Sequence, residues 1–200
     1  IGLQAVQNNL LKKIGRIHTY EEFLDTYKNA RNVGFENINV DLMINLPSQT
    51  LKDVEESIKE IIKLKPEHIS VYSLIVEEGT KINKMLESKE IELATDEEER
   101  KMYWKMKELL EENGYEHYEI SNFSMPGHRS RHNMDCWSQK EYLGFGTAAH
   151  SYFGGRRFSN KKTIEEYIEN YSEKEIEEDQ TEEDMKKEYM MLGLRKIEGV

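Results

Sequence analysis

The chain has 200 residues, of which 34% are charged and 37% hydrophobic, and its formal net charge is −11. This acidic balance argues against general nucleic-acid binding, and the length fits one large domain, or one domain with part of another. The single cysteine excludes an internal disulfide and any metal or iron–sulfur site built only from this chain's cysteines. It also favours a reducing compartment, here the cytoplasm.

The first 121 residues predict strands that alternate with helices. Apolar or alternating runs predict strands at Ile1–Ala5, Ile38–Leu46, His68–Val76 and Glu116–Ser121. The intervening segments predict helices that start at Thr19, Thr50 and Thr95, each followed three residues later by an acid. Thr19 and Glu22 form a capping box. Alternation of this kind indicates βαβ units with a parallel sheet. The lack of a Gly-rich phosphate loop favours part of a (β/α) barrel over a nucleotide-binding doubly wound sheet.

The second predicted strand has one apolar face and one polar face. Strand alternation separates Ile38, Val40, Leu42 and Ile44 from Asn39, Asp41, Met43 and Asn45. We expect the apolar face to pack on helices and the polar face to line the barrel interior, where a purely structural core would be aliphatic. Gly2, Gln4, Glu119 and Ser121 are predicted to point inward as well. Several polar groups therefore converge on one interior, as a ligand site requires.

The alternation of strands and helices ends at Ser121. A histidine-rich stretch, residues 117–151, begins in the last predicted strand and continues beyond it. It holds four of the six histidines and the only cysteine, and residues 117–160 carry a net charge of +2. Irregular segments of this kind often carry binding and chemistry, and the local charge would attract an anionic small molecule. Residues 165–188 are acid-rich and predicted to be helical, as a solvated face or as the lead into a second domain.

Eight short segments carry a resemblance to a known family. In chain order they are GLQ (2–4), GRIH (15–18), GFENINVDLMINLPSQT (34–50), HISVYSLIVEEGT (68–80), GYEHYEISNF (114–123), PGHRSRHN (126–133), YLGFGTAAHS (142–151) and LGLRKIEG (192–199). Together they resemble the radical S-adenosylmethionine family of oxygen-independent coproporphyrinogen III oxidase-like proteins. The resemblance is closer to the HemW-like heme-chaperone branch of that family, and it covers nearly the whole chain.

The resemblance implies a fold and a set of cofactors. The fold is α/β, a partial (β/α)6 TIM-like barrel of radical S-adenosylmethionine type, followed by the start of a small C-terminal helical domain. Residues 1–160 would be the C-terminal part of the barrel with its His-rich extension, and residues 161–200 a helical segment leading into a truncated domain. The family holds a 4Fe–4S cluster on a Cys-x3-Cys-x2-Cys loop that normally lies upstream. Cys136 cannot replace that loop, so we expect a fragment without a cluster, inactive by itself.

By the same resemblance, three polar residues fall on the family's S-adenosylmethionine contacts: Gln4, Arg16 and Asp41. A carboxylate suits a ribose diol, a guanidinium binds the methionyl carboxylate bidentately, and an amide offers both donor and acceptor. Met43 and Ile75 would give apolar contacts beside the adenine. The structural alternatives are a surface ion pair for Arg16 and a strand partner for Asp41. His18, His68 and Glu119 are interpreted as structural.

The segment HNMDCW, residues 132–137, resembles the His-Asn-x-x-Tyr-Trp motif of the chaperone branch, with Cys136 in place of tyrosine. Heme would then bind with His132 or a Cys136 thiolate as axial ligand. Its propionates would meet arginines from the set Arg129, Arg131, Arg156 and Arg157. The alternatives are a turn element for His132, core packing for Trp137 and a small buried apolar side chain for Cys136. No catalytic residue and no metal ligand is expected within the chain.

Three functions compete at this point. The first is a heme chaperone that binds S-adenosylmethionine, a cluster and heme and passes the heme to an acceptor protein, with peripheral membrane contact through that acceptor. The second is an oxygen-independent coproporphyrinogen III dehydrogenase, which forms protoporphyrinogen IX by oxidative decarboxylation. The third is a metal-dependent barrel hydrolase built on Asp41, Glu119, His132 and His150, although no His-x-His pair supports it. The segment HNMDCW favours the first function.

Overall fold

The computed structural model describes the backbone of residues 1–200 and the side chains of residues 1–176 and 180–200. The chain forms two compact units, residues 1–129 and 130–200, and each has its own sheet. No helix in the described part of the chain is long and apolar enough to cross a membrane. The domain boundary after residue 160, expected for the longer protein, stays a prediction.

The first unit is built on a five-stranded sheet flanked by helices. Its elements are β1 (Gly2–Gln4), α1 (Asn8–Lys13), α2 (Tyr20–Asn32), β2 (Asn39–Ile44), α3 (Leu51–Leu64), β3 (His68–Ser73), α4 (Lys81–Glu87), α5 (Asp96–Glu112), β4 (Glu116–Glu119) and β5 (Asn122–Ser124). The strand order is β1-β2-β3-β5-β4, and β1, β2 and β3 are parallel. The predicted α/β alternation is confirmed, as an open sheet rather than a closed barrel.

The fourth predicted strand is wrong in one respect. It was expected to run through Ser121, but β4 ends at Glu119 and β5 returns between β3 and β4, antiparallel to both. The reversal has a local cause, since Glu119 Oε1 accepts hydrogen bonds from Ser121 N, at 2.8 Å, and from Asn122 Nδ2. A side chain that bonds its own turn favours a reversal over a continued strand.

The helix starts and the packed face of the sheet follow the prediction. Thr19, Thr50 and Thr95 each cap a helix through a full capping box, an interaction of about 1 kcal/mol each. Along β2 the buried positions alternate with half-buried ones. The buried positions pack against apolar residues of α3 and α5 that include Val54, Ile58, Ile61, Met102, Met106 and Leu110. The opposite face of the sheet is left for polar side chains.

The second unit contains α6 (Arg131–Trp137), β6 (His150–Phe153), β7 (Arg156–Ser159), α7 (Ile164–Glu169), β8 (Glu175–Asp179) and α8 (Glu182–Gly193). The three strands form an antiparallel sheet in sequence order. The continuous helix predicted over residues 165–188 is wrong, because β8 separates α7 from α8. Thr163 and Thr181 each start a helix with a capping box, so the segment holds two helix starts and not one.

Candidate cofactor-binding site

The sheet of the first unit carries a row of polar residues on the face opposite α3 and α5. Register pairs Gly2 with Asp41, Asp41 with Ser70, and Ser70 with Asn122. Asn122 in turn pairs with Glu119 on β4. Residues paired in register point to the same side of a sheet, so the row crosses all five strands. Most of its polar members are buried: His68, Ser70, Glu119, Asn122 and Ser124. Gln4 is buried as well; the register of β1 shifts between Gly2 and Gln4, so Gln4 pairs with Leu42, and its amide lies against Gly2. The predicted convergence of polar groups on one face is confirmed for Asn39, Asp41 and Glu119. It is wrong for Asn45, whose side chain donates to Glu99 of α5 at 2.7 Å, on the other side of the sheet.

Gly2 makes room for one of the predicted site residues, Gln4, and lies next to a second, Asp41. A Cβ atom at Gly2 would lie 2.9 Å from Gln4 Nε2 and 3.9 Å from Asp41 Oδ2. The first distance is too short for a carbon contact, so the Gln4 amide can keep this position only next to a glycine, whereas the second is an ordinary van der Waals contact. Gln4 is buried and has a left-handed φ of 75°, a conformation that is strained for a residue with a side chain and is frequent at binding sites.

Arg16 lies in the loop that follows α1, with its side chain exposed. The loop is held at both ends. Arg16 N donates to Leu11 O at 3.0 Å, and His18 Nε2 contacts Leu3 O at 3.3 Å. Because a carbonyl oxygen only accepts, His18 is the donor. His18 thus ties the Arg16 loop to β1 next to Gln4.

The two apolar residues predicted beside the adenine lie at the carboxyl ends of the parallel strands. Met43 is half-buried and on the same face of β2 as Asp41. Ile75 follows β3 and is 76% exposed. The segment before it is fixed to β2 by a hydrogen bond from Leu74 N to Ile44 O, 3.0 Å long. Ligand sites of barrel enzymes lie at this edge of the strands.

A chain of hydrogen bonds ends on Asp41. Asn39 Nδ2 donates to Asp41 Oδ1 at 2.6 Å, and Asn39 Oδ1 lies 2.7 Å from His68 Nδ1. His68 Nε2 in turn lies 2.6 Å from Tyr118 Oη. Burial lowers the pKa of His68 to about 4, although the Asp41 charge acts in the opposite direction. Sequence reasoning missed this link, since only the register of β2 against β3 reveals that His68 faces Asn39.

In the second unit, His132 and Cys136 share one face of α6. They are four residues apart, and Cys136 Sγ lies 3.8 Å from His132 Nε2. His132 is exposed, and its ring meets that of Tyr142 edge-on at 6.2 Å between centroids. Burial, and then the charge of Asp135, raise the pKa of the Cys136 thiol, against a smaller effect of Arg157. The raised pKa lowers the fraction of thiolate that Cys136 carries at neutral pH.

The four arginines predicted to meet the heme propionates differ in their contacts and in their exposure. Arg157 forms an ion pair with Glu188 and lies 4.9 Å over the Tyr152 ring, whereas Arg129 pairs with Glu116 at 3.3 Å. The side chains of Arg129, Arg131 and Arg156 are exposed, and that of Arg157 is half-buried. Trp137, predicted to pack in the core, is half-buried, with the Arg195 guanidinium 4.2 Å from its ring centre.

The hydrolase alternative finds no support in the geometry. Within residues 1–176 and 180–200, no group of three or more His, Cys, Asp or Glu side chains is arranged to hold a metal ion. The four residues proposed for such a site, namely Asp41, Glu119, His132 and His150, therefore do not form a ligand set. Glu119 instead bonds to the turn between β4 and β5.

Similarity to known proteins supports the family predicted from the motifs. Residues 1–61 match the Radical SAM superfamily. Over its full length the chain is 43% identical to the heme chaperone HemW of Bacillus subtilis, of which it covers 54%. It is 38% identical to the heme chaperone HemW of Lactococcus lactis, of which it covers 53%. The chain thus spans about half the length of these relatives.

A solved structure confirms the fold class. The fold is similar to that of coproporphyrinogen III oxidase (HemN) of Escherichia coli, described as a radical SAM enzyme. The TM-score is 0.78, over 97% of this chain and 48% of that one, at 19% identity. At this level of identity the likeness concerns the fold alone. It agrees with the predicted partial barrel of radical S-adenosylmethionine type.

Proposed function

We propose that this chain, a member of the radical S-adenosylmethionine superfamily, carries the S-adenosylmethionine-binding face and the heme-binding helix of a cytoplasmic heme chaperone. The observation that carries the first part is the placing of Gln4 and Asp41 around Gly2. Identity of 43% to a heme chaperone over the whole chain supports the second part. The function of the complete protein is inferred from relatives about twice as long.

The residues of the first unit fit an adenosyl ligand. Asp41 would accept hydrogen bonds from the ribose hydroxyls, and the Gln4 amide would offer both a donor and an acceptor next to it. Arg16, on its exposed loop, would pair with the methionyl carboxylate. Met43 and Ile75 would cover the adenine ring with apolar surface. S-adenosylmethionine supplies the adenosyl group for radical chemistry when a reduced 4Fe–4S cluster binds it.

The cluster does not fit the residues of this chain alone. A 4Fe–4S cluster is held by cysteine thiolates, and Cys136 is the only cysteine. Its pKa is raised by burial, so it also lacks thiolate character. The cluster ligands of the proposed protein therefore come from outside these 200 residues.

Heme fits the exposed face of α6. The His132 imidazole is accessible and is a common axial ligand of heme iron, whereas the neutral Cys136 thiol beside it is a poor one. The exposed Arg131 and Arg156 are suited to propionate groups. The proposed partner is a heme-free acceptor protein that takes the heme from His132, and any membrane contact would be through that acceptor.

Coproporphyrinogen III dehydrogenation is the second candidate. Its support is the likeness to HemN, which is a likeness of fold at 19% identity. An anaerobic assay of a cluster-containing protein that includes this chain distinguishes the two. Formation of protoporphyrinogen IX from coproporphyrinogen III would favour the dehydrogenase, and a chaperone gives no turnover.

Titration of the chain with hemin tests the chaperone proposal. We expect one hemin per chain and a shifted Soret band that is lost in His132→Ala and kept in Cys136→Ala. His128→Ala serves as the matched control, since it removes a histidine from the neighbouring loop. An unshifted Soret band, or the same spectrum in His132→Ala as in the original chain, would contradict heme ligation by α6.

A further inference from the structure

We infer that His68 is a positioning residue for the proposed S-adenosylmethionine site, because it fixes the Asp41 carboxylate through Asn39. The inference rests on the proposed function of Asp41. His68 has no place among the contacts expected for the ligand, since it lies on β3, opposite Asn39 in the register of the sheet. It acts on the ligand only through two hydrogen bonds within the protein.

The hydrogen bonds that run from Tyr118 to Asp41 have directions that follow from the Asp41 carboxylate at their end. An ionised carboxylate only accepts, so Asn39 must turn its Nδ2 towards Asp41 Oδ1. Asn39 Oδ1 then faces the other way, where it accepts from Ser70 Oγ at 3.1 Å and from His68 Nδ1 at 2.7 Å. His68 therefore carries its proton on Nδ1. In the neutral ring Nε2 is an acceptor, so Tyr118 Oη donates to it.

The hydrogen-bonded chain holds one carboxylate oxygen and leaves the other for a ligand. Oδ1 of Asp41 is the atom that accepts from Asn39. Oδ2 is the atom that lies towards Gly2, 3.9 Å from where a Cβ atom would be. Without His68, the Asn39 amide oxygen keeps only the longer bond from Ser70 Oγ, so the amide can turn more easily and bring its own oxygen towards Oδ1, which is repulsive. His68 thereby keeps Oδ2 directed at the space next to Gly2 and Gln4.

Burial makes the arrangement rigid. His68, Ser70 and Tyr118 are each at most 6% exposed, so water cannot replace the protein partners. The Tyr118 ring meets the imidazole edge-on at 5.7 Å between centroids, and Arg129 lies 5.6 Å above the Tyr118 ring. Buried polar chains of this kind fix a single conformation when each donor and acceptor is used.

Two substitutions at His68 separate a positioning role from a structural one. His68→Asn keeps an N–H group near the position of Nδ1, whereas His68→Gln places its amide near the position of Nε2 and leaves Asn39 Oδ1 without that donor. Both substitutions change the neighbourhood of Tyr118. The probes are S-adenosylhomocysteine and its 2′,3′-dideoxy analogue, which lacks the ribose diol, each titrated calorimetrically into the chain.

We expect His68→Asn to bind S-adenosylhomocysteine within about twofold of the original chain and His68→Gln to bind about five- to tenfold more weakly. The dideoxy analogue should bind both variants equally, because it gives Asp41 nothing to hold. The side-chain amide signals of Asn39 in an NMR spectrum should shift in His68→Gln and stay in place in His68→Asn. Tyr118→Phe, beyond the imidazole, should change affinity by no more than about twofold.

Equal weakening by both His68 variants, or a loss in His68→Gln that persists with the dideoxy analogue, would overturn the positioning role while the proposed function stands. An original chain that binds S-adenosylhomocysteine no better than the dideoxy analogue would overturn the ribose contact of Asp41, and the inference with it.

Discussion

The two units hold their candidate site residues in opposite ways. In the first unit Asp41 and Gln4 lie on a sheet, where Asn39 holds the Asp41 carboxylate, and most of the polar row is buried. In the second unit His132 projects from α6, a helix of seven residues, and its side chain is exposed. The first arrangement suits a ligand that must be held in one orientation. The second suits a ligand that is taken up and passed on.

The largest effect is expected in the first unit, where burial of His68 should make the free energy of unfolding depend on pH. Burial holds the pKa of His68 at about 4 in the folded chain, against 6.5 for an ordinary histidine. Above about pH 6.5 both states are neutral, and between pH 6.5 and 4 only the unfolded state takes up the proton. Relative to His68→Asn, the original chain should therefore lose about 3 kcal/mol of unfolding free energy as the pH falls from 7 to 4.

Denaturant unfolding followed by the backbone amide signals of β2 and β3 measures this difference for the first unit. His128→Asn is a matched control, since that histidine lies in a loop and is only half-buried. If the free energies of unfolding of the original chain and His68→Asn differ by the same amount from pH 7 to pH 4, His68 protonates as easily in the folded chain as in the unfolded one.

Asp41→Asn tests the site itself. The carboxylate becomes an amide of the same shape, so the fold should persist while the charge-assisted hydrogen bonds to the ribose are lost. We expect S-adenosylhomocysteine to bind about ten- to a hundredfold more weakly. Calorimetric titration measures the effect, and Asp25→Asn, an exposed change on α2, is the control. Equal affinity in both variants would remove Asp41 from the site.

Gly2→Ala tests the room that the glycine leaves. The added Cβ atom would meet Gln4 Nε2 at 2.9 Å, so the amide must move and affinity for S-adenosylhomocysteine should fall about fivefold, the effect of one hydrogen bond. In a Gln4→Ala background the clash is absent, and Gly2→Ala should then have no further effect. A loss of equal size in both backgrounds would mean that Gly2 acts independently of Gln4.

The smallest effect is expected in the second unit, at Cys136. Burial and the Asp135 carboxylate raise the pKa of the thiol, so alkylation by iodoacetamide at pH 7 should be slower than for an unperturbed cysteine. Asp135→Asn should speed it about two- to threefold, since one nearby charge at a partly exposed site changes a pKa by a fraction of a unit. The rate of mass increase measures it, and an unchanged rate in Asp135→Asn would exclude the charge effect.

Local signals in the sequence predicted most of the first unit. Capping boxes placed the starts of α2, α3 and α5, and alternation separated the two faces of β2, because both depend on residues close together in the chain. The insertion of β5 was not predictable in this way. It is three residues long, and its place beside β3 depends on pairing between distant segments. In the second unit the helix start at Thr181 has its own capping box with Asp184, inside the acid-rich run for which one continuous helix is predicted.

The candidate site, like the fold, was predictable from the sequence only in part. The resemblance to the family pointed to Gln4 and Asp41, and alternation put them on one side of the sheet. The part played by Gly2 and the link through His68 needed the register between strands, which a single sequence does not reveal. At α6, the four-residue spacing of His132 and Cys136 was visible, but the preference for the imidazole depends on the surroundings of the thiol.

An NMR titration of the chain with S-adenosylhomocysteine tests the central claim most directly, namely that the polar face of the first sheet binds the adenosyl ligand. We expect the signals of Gly2, Gln4, Asp41 and the Asn39 side chain to shift in proportion to bound ligand, and those of α6 to stay in place. Shifts confined to α6, or no shift on β1 and β2 at saturating ligand, would contradict it.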